Sequence, residues 1–167
     1  ITEELGEKVK KFSEDELLVV KRVIHTTADF EYADLIEFKN NPIESGRKAL
    51  VEGSKIYCDT NMIVNGLSKI SLKLYDCEAY SLVADKEVSL LAKERGVTRS
   101  IVGMEKALED KETGIFLIGN APTALYKLLE YIKETGIKPR LVVGVPVGFV
   151  GAAESKEALN NFEFPYI

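Results

Sequence analysis

The chain has 167 residues, of which 46% are hydrophobic, a length and composition that suit one compact domain. Its 22 basic and 27 acidic side chains give a net charge of -5, which excludes the broad basic surface that nucleic acid requires. No apolar run approaches the roughly 20 residues of a membrane span, and the single histidine excludes a metal site built from several histidines. Cys58 and Cys77 form no C-x-x-C pair or disulfide pattern, so we expect both to be buried in a protein of the reducing cytoplasm.

The N-terminal part of the chain is predicted to form two helical segments. Ser13 and Glu16 match a capping box directly before an apolar run, which predicts that the second helix starts there and continues to about Ile24 or His25. A mixed stretch over residues 29–41 follows, and Pro42 then starts a helix over residues 43–52.

From residue 55 onward, predicted strands alternate with predicted helices. Strands are predicted over residues 55–58 and 79–83 and within the apolar run 114–120 and the β-rich run 140–145. Helices are predicted over residues 61–66, 86–95, 121–134 and 152–159. Apolar strands of this kind are buried on both faces, as in a parallel sheet that is covered by helices. We therefore expect residues 1–167 to form one α/β domain, a doubly wound three-layer α/β/α fold with a mainly parallel sheet.

In such folds, ligands bind beyond the carboxyl ends of the strands. Three predicted loops lie there: the one after Cys58, the one over residues 119–123 and the one over residues 146–151. In the first loop, Asp59 would cap the next helix, and Met62 would pack either on a ligand or in the core.

His25 falls on the polar side of its predicted helix, together with Arg22 and Thr26, and therefore outside the core. Arg22 lies one turn away and can hold an anion beside an imidazole, the side chain that gains and loses a proton near neutral pH. This arrangement suits acid/base catalysis. The alternative is an ordinary solvated histidine, which composition alone favours.

The loop over residues 119–123 joins a buried strand to a helix. Pro122 fits the first helical turn, Asn120 is a cap or a side-chain donor, and the free backbone N–H groups of the loop favour an anion. A well-capped turn without a ligand is the alternative.

Two further segments carry candidate binding groups. Residues 144–154 are rich in small side chains, which permit close approach of the backbone to a flat ligand or a partner subunit. Their spacing is not G-x-G-x-x-G, so a nicotinamide or flavin cofactor has little support. Between two helical stretches, Arg99 would bind a carboxylate with help from Ser100, unless it is a structural arginine.

Five motifs occur in one order along the chain: RVIHTTAD at residues 22–29, Cys58-Asp59 with Met62 and Gly66, TRS at 98–100, GNAPTA at 119–124 and GVPVGFVGAAES at 144–155. Together they closely resemble the precorrin-8X methylmutase family, including its cobalt-precorrin-8 branch. Each motif is weak alone, but the five in this order are highly specific, and the resemblance spans almost the whole chain.

The resemblance implies an isomerase of corrinoid (cobalamin) biosynthesis. It would move a methyl group from C-11 to C-12 of precorrin-8X or cobalt-precorrin-8, giving hydrogenobyrinate or cobyrinate, with no cofactor and no metal site. His25 would give or take a proton at the macrocycle. The substrate-binding residues would be Arg22, Thr26, Asp59, Met62, Arg99, Ser100, Asn120, Ala121 and Thr123. Family members are homodimers with sites near the subunit interface, so a homodimer is implied as well.

The family pattern continues upstream of Ile1 and downstream of Ile167, so we expect terminal segments that were lost or are disordered. Two other functions remain as alternatives. The first is a non-catalytic tetrapyrrole carrier that binds and hands on the corrinoid product. The second is a generic nucleotide-binding α/β protein, which the loop spacing disfavours.

Overall fold

The computed structural model describes residues 1–148 and 150–167. The helices are α1 Thr2–Leu5, α2 Glu14–Thr27, α3 Tyr32–Leu35, α4 Pro42–Val51, α5 Asn61–Gly66, α6 Lys69–Leu74, α7 Lys86–Arg95, α8 Arg99–Glu109, α9 Pro122–Thr135 and α10 Ala152–Ala158. The strands are β1 Lys55–Cys58, β2 Ala79–Tyr80, β3 Thr113–Ile118 and β4 Leu141–Gly144. Short 3-10 helices cover Gly6–Lys11 and Leu159–Asn161. Among the described residues, no helix combines the length and the apolar character needed to cross a bilayer.

The four strands form one parallel sheet in the order β2-β1-β3-β4. Tyr57 of β1 lies opposite Phe116 of β3, and Phe116 lies opposite Val142 of β4. The chain leaves β1 towards β2 on one side of the sheet and leaves β3 towards β4 on the other. The boundary between β1 and β3 is therefore the point at which the winding direction reverses, and ligand sites of doubly wound sheets lie at such points.

Helices cover both faces of the sheet, which confirms the predicted three-layer fold. One face packs on α8 and α9 through Tyr57, Phe116, Ile118 and Val142. The other face packs on α4, α5 and α6 through Ile56, Cys58, Ile115, Leu117 and Leu141. Side chains alternate between these faces along each strand, so both clusters exclude water from the sheet.

The C-terminal residues 165–167 protect the outer edge of β4. The backbone N–H of Val142 donates to the carbonyl of Pro165, and that of Gly144 donates to Ile167. Tyr166 also exchanges two backbone hydrogen bonds with Lys39. The edge strand therefore has backbone partners and is not left open for another chain.

Residues 1–38, here called the N-terminal segment, pack around an apolar cluster of their own. Leu5, Val20, Ile24 and Ala33 are buried in this cluster. Helix α2 starts with the predicted capping box, since Ser13 and Glu16 bond each other's backbone N–H groups. The helix ends at Thr27, slightly later than predicted. An ion pair between Arg47 and Asp15 connects α4 with α2.

Three sequence predictions need correction. Strand β2 ends at Tyr80 rather than at residue 83, because only Ala79 and Tyr80 pair with β1. Helix α6 was not predicted, although Ser68 caps it by accepting the N–H of Ser71. Cys58 is buried as expected, but Cys77 is only half-buried, and both thiols are free.

Candidate active site at the carboxyl edge of the sheet

Asp59 joins the two loops at which the winding of the sheet reverses. It follows β1 directly, and its side chain is only 1% exposed. One carboxylate oxygen accepts the N–H of Gly119 at 3.1 Å, and the other accepts those of Asn120 at 2.9 Å and Ala121 at 2.7 Å. A single buried carboxylate therefore fixes the backbone that leads from β3 into α9.

These bonds correct two predictions about the loops. The N–H groups of Gly119, Asn120 and Ala121 were expected to be free for an anionic ligand, but they already bind a carboxylate of the chain itself. Asp59 was expected to cap the helix that follows it, but Thr60 caps α5 by accepting the N–H of Ile63.

The first turns of α8 and α9 lie side by side at the same edge. Thr98 caps α8 by accepting the N–H of Ile101, and its hydroxyl lies 3.3 Å from that of Thr123 in α9. Arg99 begins α8 and is exposed, and Ser100 is half-buried beside it. The structure thus brings Thr98, the residue directly before Arg99 and Ser100, into contact with Thr123. Thr98 was not among the predicted site residues. A threonine directly before a helical stretch is a common N-cap, so the sequence carried a signal for this contact.

The β1 loop also contacts the β3 loop through α5. A methyl group added to Gly119 would lie 3.0 Å from Cδ1 of Ile63, so the Ile63 side chain packs directly on the Gly119 backbone. Met62, the preceding residue, is 79% exposed. Of the two alternatives considered for Met62, packing in the core is therefore excluded. Asn120 and Thr123 are exposed at the same edge, whereas Ala121 is buried.

The described residues 145–148, 150 and 151 belong to the third loop of this edge. A methyl group added to Gly151 would lie 3.8 Å from Pro122, so this loop borders the start of α9. Gly144 faces inward, because a methyl group there would lie 2.7 Å from Leu159; its small size serves internal packing. Val147 is 67% exposed. Phe149 of the same motif lies outside the described residues.

His25, Arg22 and Thr26 are exposed on one side of α2, whereas Val20 and Ile24 are buried on the other, as the helical periodicity predicted. The Thr26 hydroxyl donates to the carbonyl of Arg22 at 2.9 Å. Among the described residues, no hydrogen bond or ion pair joins these three side chains to the loops of the sheet. Within one chain, the predicted site residues thus form two groups: three on α2, and the rest at the carboxyl edge.

Burial makes two other polar groups at this edge unsuitable for proton transfer. Burial, and then the negative charge of Asp59, raise the pKa of the Cys58 thiol to about 12. The same two causes raise the pKa of Tyr57. Both groups therefore remain neutral near pH 7, and Cys58 is not a thiolate nucleophile.

A cavity of about 540 Å³ lies at the opposite, amino edge of the sheet. Its basic groups include Lys55, which pairs with Asp110 at 3.1 Å and Glu112 at 2.6 Å, and Arg140, which pairs with Glu52. These cations are neutralised by the chain itself, and ligands of doubly wound sheets bind at the other edge. The cavity therefore does not define the candidate site. In the described part of the chain, no group of three or more His, Cys, Asp or Glu side chains is arranged to hold a metal ion.

Comparisons with known proteins identify the class. The family model described as CbiC, precorrin-8X methylmutase, matches residues 1–167. A cobalt-precorrin-8 methylmutase of Methanocaldococcus jannaschii is 45% identical over 167 residues, which are 100% of this chain and 76% of that protein. A precorrin-8X methylmutase of Pseudomonas aeruginosa is 41% identical over 148 residues, covering 87% of this chain and 71% of that protein.

A solved structure agrees with these relatives. The precorrin-8X methylmutase from Thermus thermophilus superposes with a TM-score of 0.84 at 41% identity, covering 93% of this chain and 75% of that chain. The fold and the relatives define an α/β isomerase of the methylmutase class. The chain belongs to the precorrin-8X methylmutase family.

Proposed function

We propose that this chain isomerises precorrin-8X or cobalt-precorrin-8, moving the methyl group from C-11 to C-12 and giving hydrogenobyrinate or cobyrinate. One observation carries the proposal: the family match extends over the whole chain. Relatives named for either substrate resemble the chain at 45% and 41% identity. The exposed position of His25 beside Arg22 supports a part for both in this reaction.

The proposed reaction needs proton transfer but no net redox change. One carbon–carbon bond breaks at C-11 and one forms at C-12, so atoms and electrons balance within the substrate. His25 donates a proton to the macrocycle, and the protonated conjugated ring acts as an electron sink during the shift. After the shift, His25 accepts the proton again. The imidazole of His25 is exposed, so a bound macrocycle can reach it.

The carboxylates of the substrate require local cations, because the net charge of the chain is -5. Arg22 and Arg99 are both exposed and are proposed to bind these carboxylates. Ser100, Asn120 and Thr123 are proposed to supply further polar groups for the substrate. The Thr26 hydroxyl already donates to a helix carbonyl, so towards a substrate it acts as an acceptor.

We propose a homodimer with its sites near the subunit interface. A large apolar side chain is exposed on an element of each group of site residues. Leu18 on α2 is 62% exposed, and Val150 in the third loop is 92% exposed. Exposed apolar side chains near a site are consistent with a covering partner. Sedimentation equilibrium tests this state, and a mass of about twice 18.6 kDa is expected. Replacing Leu18 or Val150 with glutamate should shift the equilibrium towards the monomer, and a monomeric wild type would contradict the proposal.

We also propose that the protein works in the cytoplasm. The free thiols of Cys58 and Cys77 are consistent with a reducing compartment.

The test is to incubate the protein separately with precorrin-8X and with cobalt-precorrin-8 while following the visible spectrum. The proposal predicts a spectral change with turnover on at least one substrate, and a product of unchanged mass. A non-catalytic carrier would instead bind the product tightly and leave both substrates unconverted. That second outcome would replace the enzyme proposal with the carrier.

A further inference from the structure

Asp59 has a position that the proposed reaction does not explain. It is a charged side chain with 1% exposure, so it has almost no surface to offer a substrate. Both carboxylate oxygens are instead bonded to backbone N–H groups, at 2.7 to 3.1 Å. Its environment is therefore that of a bound anion, with the anion supplied by the chain.

These N–H donors lie at a position where protein folds of this type usually bind an anionic ligand. They precede α9, a helix of 14 residues, whose N-terminus carries partial positive charge from the aligned peptide dipoles. In doubly wound sheets, phosphate or carboxylate groups of ligands bind at such a helix start, at the reversal of the winding. In this chain Asp59 reaches the same place from the end of β1.

We propose that Asp59 is a positioning residue, an internal anion that fills the site before α9 and fixes residues 119–121. The fixed loop holds Asn120 and Thr123 in place for the substrate, a step that rests on the proposed function. Asp59 itself does not contact the substrate. Its negative charge also keeps substrate carboxylates away from these N–H groups, so exposed side chains such as Arg99 must bind them.

Removal of the carboxylate should leave three N–H groups next to a small empty site. Asp59→Ala is therefore expected to lower the melting temperature by about 5–10 °C. Formate is a small carboxylate that can occupy this site. Excess formate should raise the melting temperature of Asp59→Ala more than that of the wild type, with chloride at equal ionic strength as the salt control.

Asp110→Ala is the matched control. Asp110 also accepts a backbone N–H, that of Glu112 at 3.0 Å, and it pairs with Lys55, but it lies at the amino edge. Its replacement should lower stability without producing a specific response to formate. An equal formate response in Asp59→Ala and Asp110→Ala would overturn the internal-anion proposal.

Amide hydrogen exchange tests the same bonds directly and needs no catalytic activity. The amides of residues 119–121 should be protected in the wild type and in Asp110→Ala, and should exchange at least tenfold faster in Asp59→Ala. Unchanged exchange in Asp59→Ala would overturn the proposal. If Asp59→Ala does not fold, Asp59→Asn serves instead, since its amide keeps the shape but offers one acceptor oxygen rather than two.

Kinetics test the positioning step. Displaced substrate groups should raise KM, so kcat/KM of Asp59→Asn is expected to fall about 10- to 100-fold while the pH dependence of kcat is unchanged. A shifted pH dependence, or a lowered kcat with unchanged KM, would show a chemical role and overturn the positioning role. If the wild type turns over neither substrate, the proposed function fails, whereas the exchange and formate experiments still decide the internal anion.

Discussion

In the N-terminal segment, His25 lies on α2, whose apolar side packs on the small apolar cluster of that segment. The loops at the carboxyl edge, by contrast, extend from a sheet that is buried between two layers of helices. At the sheet, polar groups are held by buried bonds such as those of Asp59. On α2, His25 and Arg22 are exposed, and in the described part of the chain no hydrogen bond of their side chains orients them. Together with the proposed function, we infer from this difference a division of tasks in which the sheet supplies fixed binding groups and the segment supplies the proton-transfer group and Arg22.

The largest effect is expected at His25. His25→Ala should reduce kcat by about 10²–10⁴-fold, since it removes the proposed proton donor. The melting temperature should hardly change, because the side chain is exposed. Steady-state turnover and thermal unfolding of the same preparation measure both quantities.

His25→Gln is the matched variant, since glutamine keeps hydrogen-bonding groups but cannot carry a proton. It should be as slow as His25→Ala. Wild-type turnover in His25→Gln would limit the role of His25 to hydrogen bonding and contradict proton transfer.

Whether the two regions unfold separately can be tested by creating one cavity in the core of each region. Ile24 is 1% exposed in the cluster of the N-terminal segment, and Leu128 is 0% exposed in the core under the sheet. Replacing either residue with alanine should lower the free energy of unfolding of its own region by about 2–5 kcal/mol. Hydrogen exchange should accelerate mainly in residues 1–38 for Ile24→Ala, but throughout the sheet for Leu128→Ala. Equal acceleration everywhere in both variants would mean that the regions unfold as one unit.

A smaller effect is expected for Arg22, whose charge is proposed to hold a substrate carboxylate. Arg22→Gln should raise KM about 10- to 100-fold, because a hydrogen bond between two charged groups is lost. Lys21→Gln removes the same charge from the adjacent position and should leave KM near the wild-type value. Equal changes in KM would indicate that general attraction, rather than Arg22 itself, binds the substrate.

The smallest effect concerns the pH dependence of stability, to which Asp34 of the N-terminal segment contributes. Hydrogen bonds from Lys11 at 2.7 Å and Lys8 at 2.6 Å lower the pKa of Asp34 to about 2. Because this pKa is lower in the folded than in the unfolded chain, the stabilisation is present above roughly pH 4 and is lost as the pH falls towards 2. Asp34→Asn should therefore unfold more easily than the wild type at pH 6, and most of this difference should be lost at pH 2, where Asp34 of the folded chain is about half protonated. A difference in thermal unfolding at pH 2 as large as the difference at pH 6 would contradict this account.

The sequence predicted the elements whose signals are local. The capping box at Ser13, the helix α7 over Lys86–Arg95 and the apolar strand β1 depend on neighbouring residues, and each lies where the sequence predicted it. The exposure of His25 followed from helical periodicity for the same reason.

Features that depend on distant partners were not predictable in this way. The Asp59 carboxylate bonds to N–H groups 60 to 62 residues away, and nothing near Asp59 indicates those partners. The pairing of Tyr166 with Lys39 along the edge of β4 is similarly distant in sequence. For the candidate site, the sequence identified the loops, while the internal contacts that shape them required the structure.

The most direct test follows the methyl group itself. A substrate labelled with carbon-13 in the methyl group at C-11 is converted in a single turnover by the wild type and by His25→Ala, and the product is examined by NMR. The account predicts that the label appears at C-12 with the wild type and stays at C-11 with His25→Ala over the same time. A label that stays at C-11 with the wild type, or moves equally fast with both proteins, would contradict it.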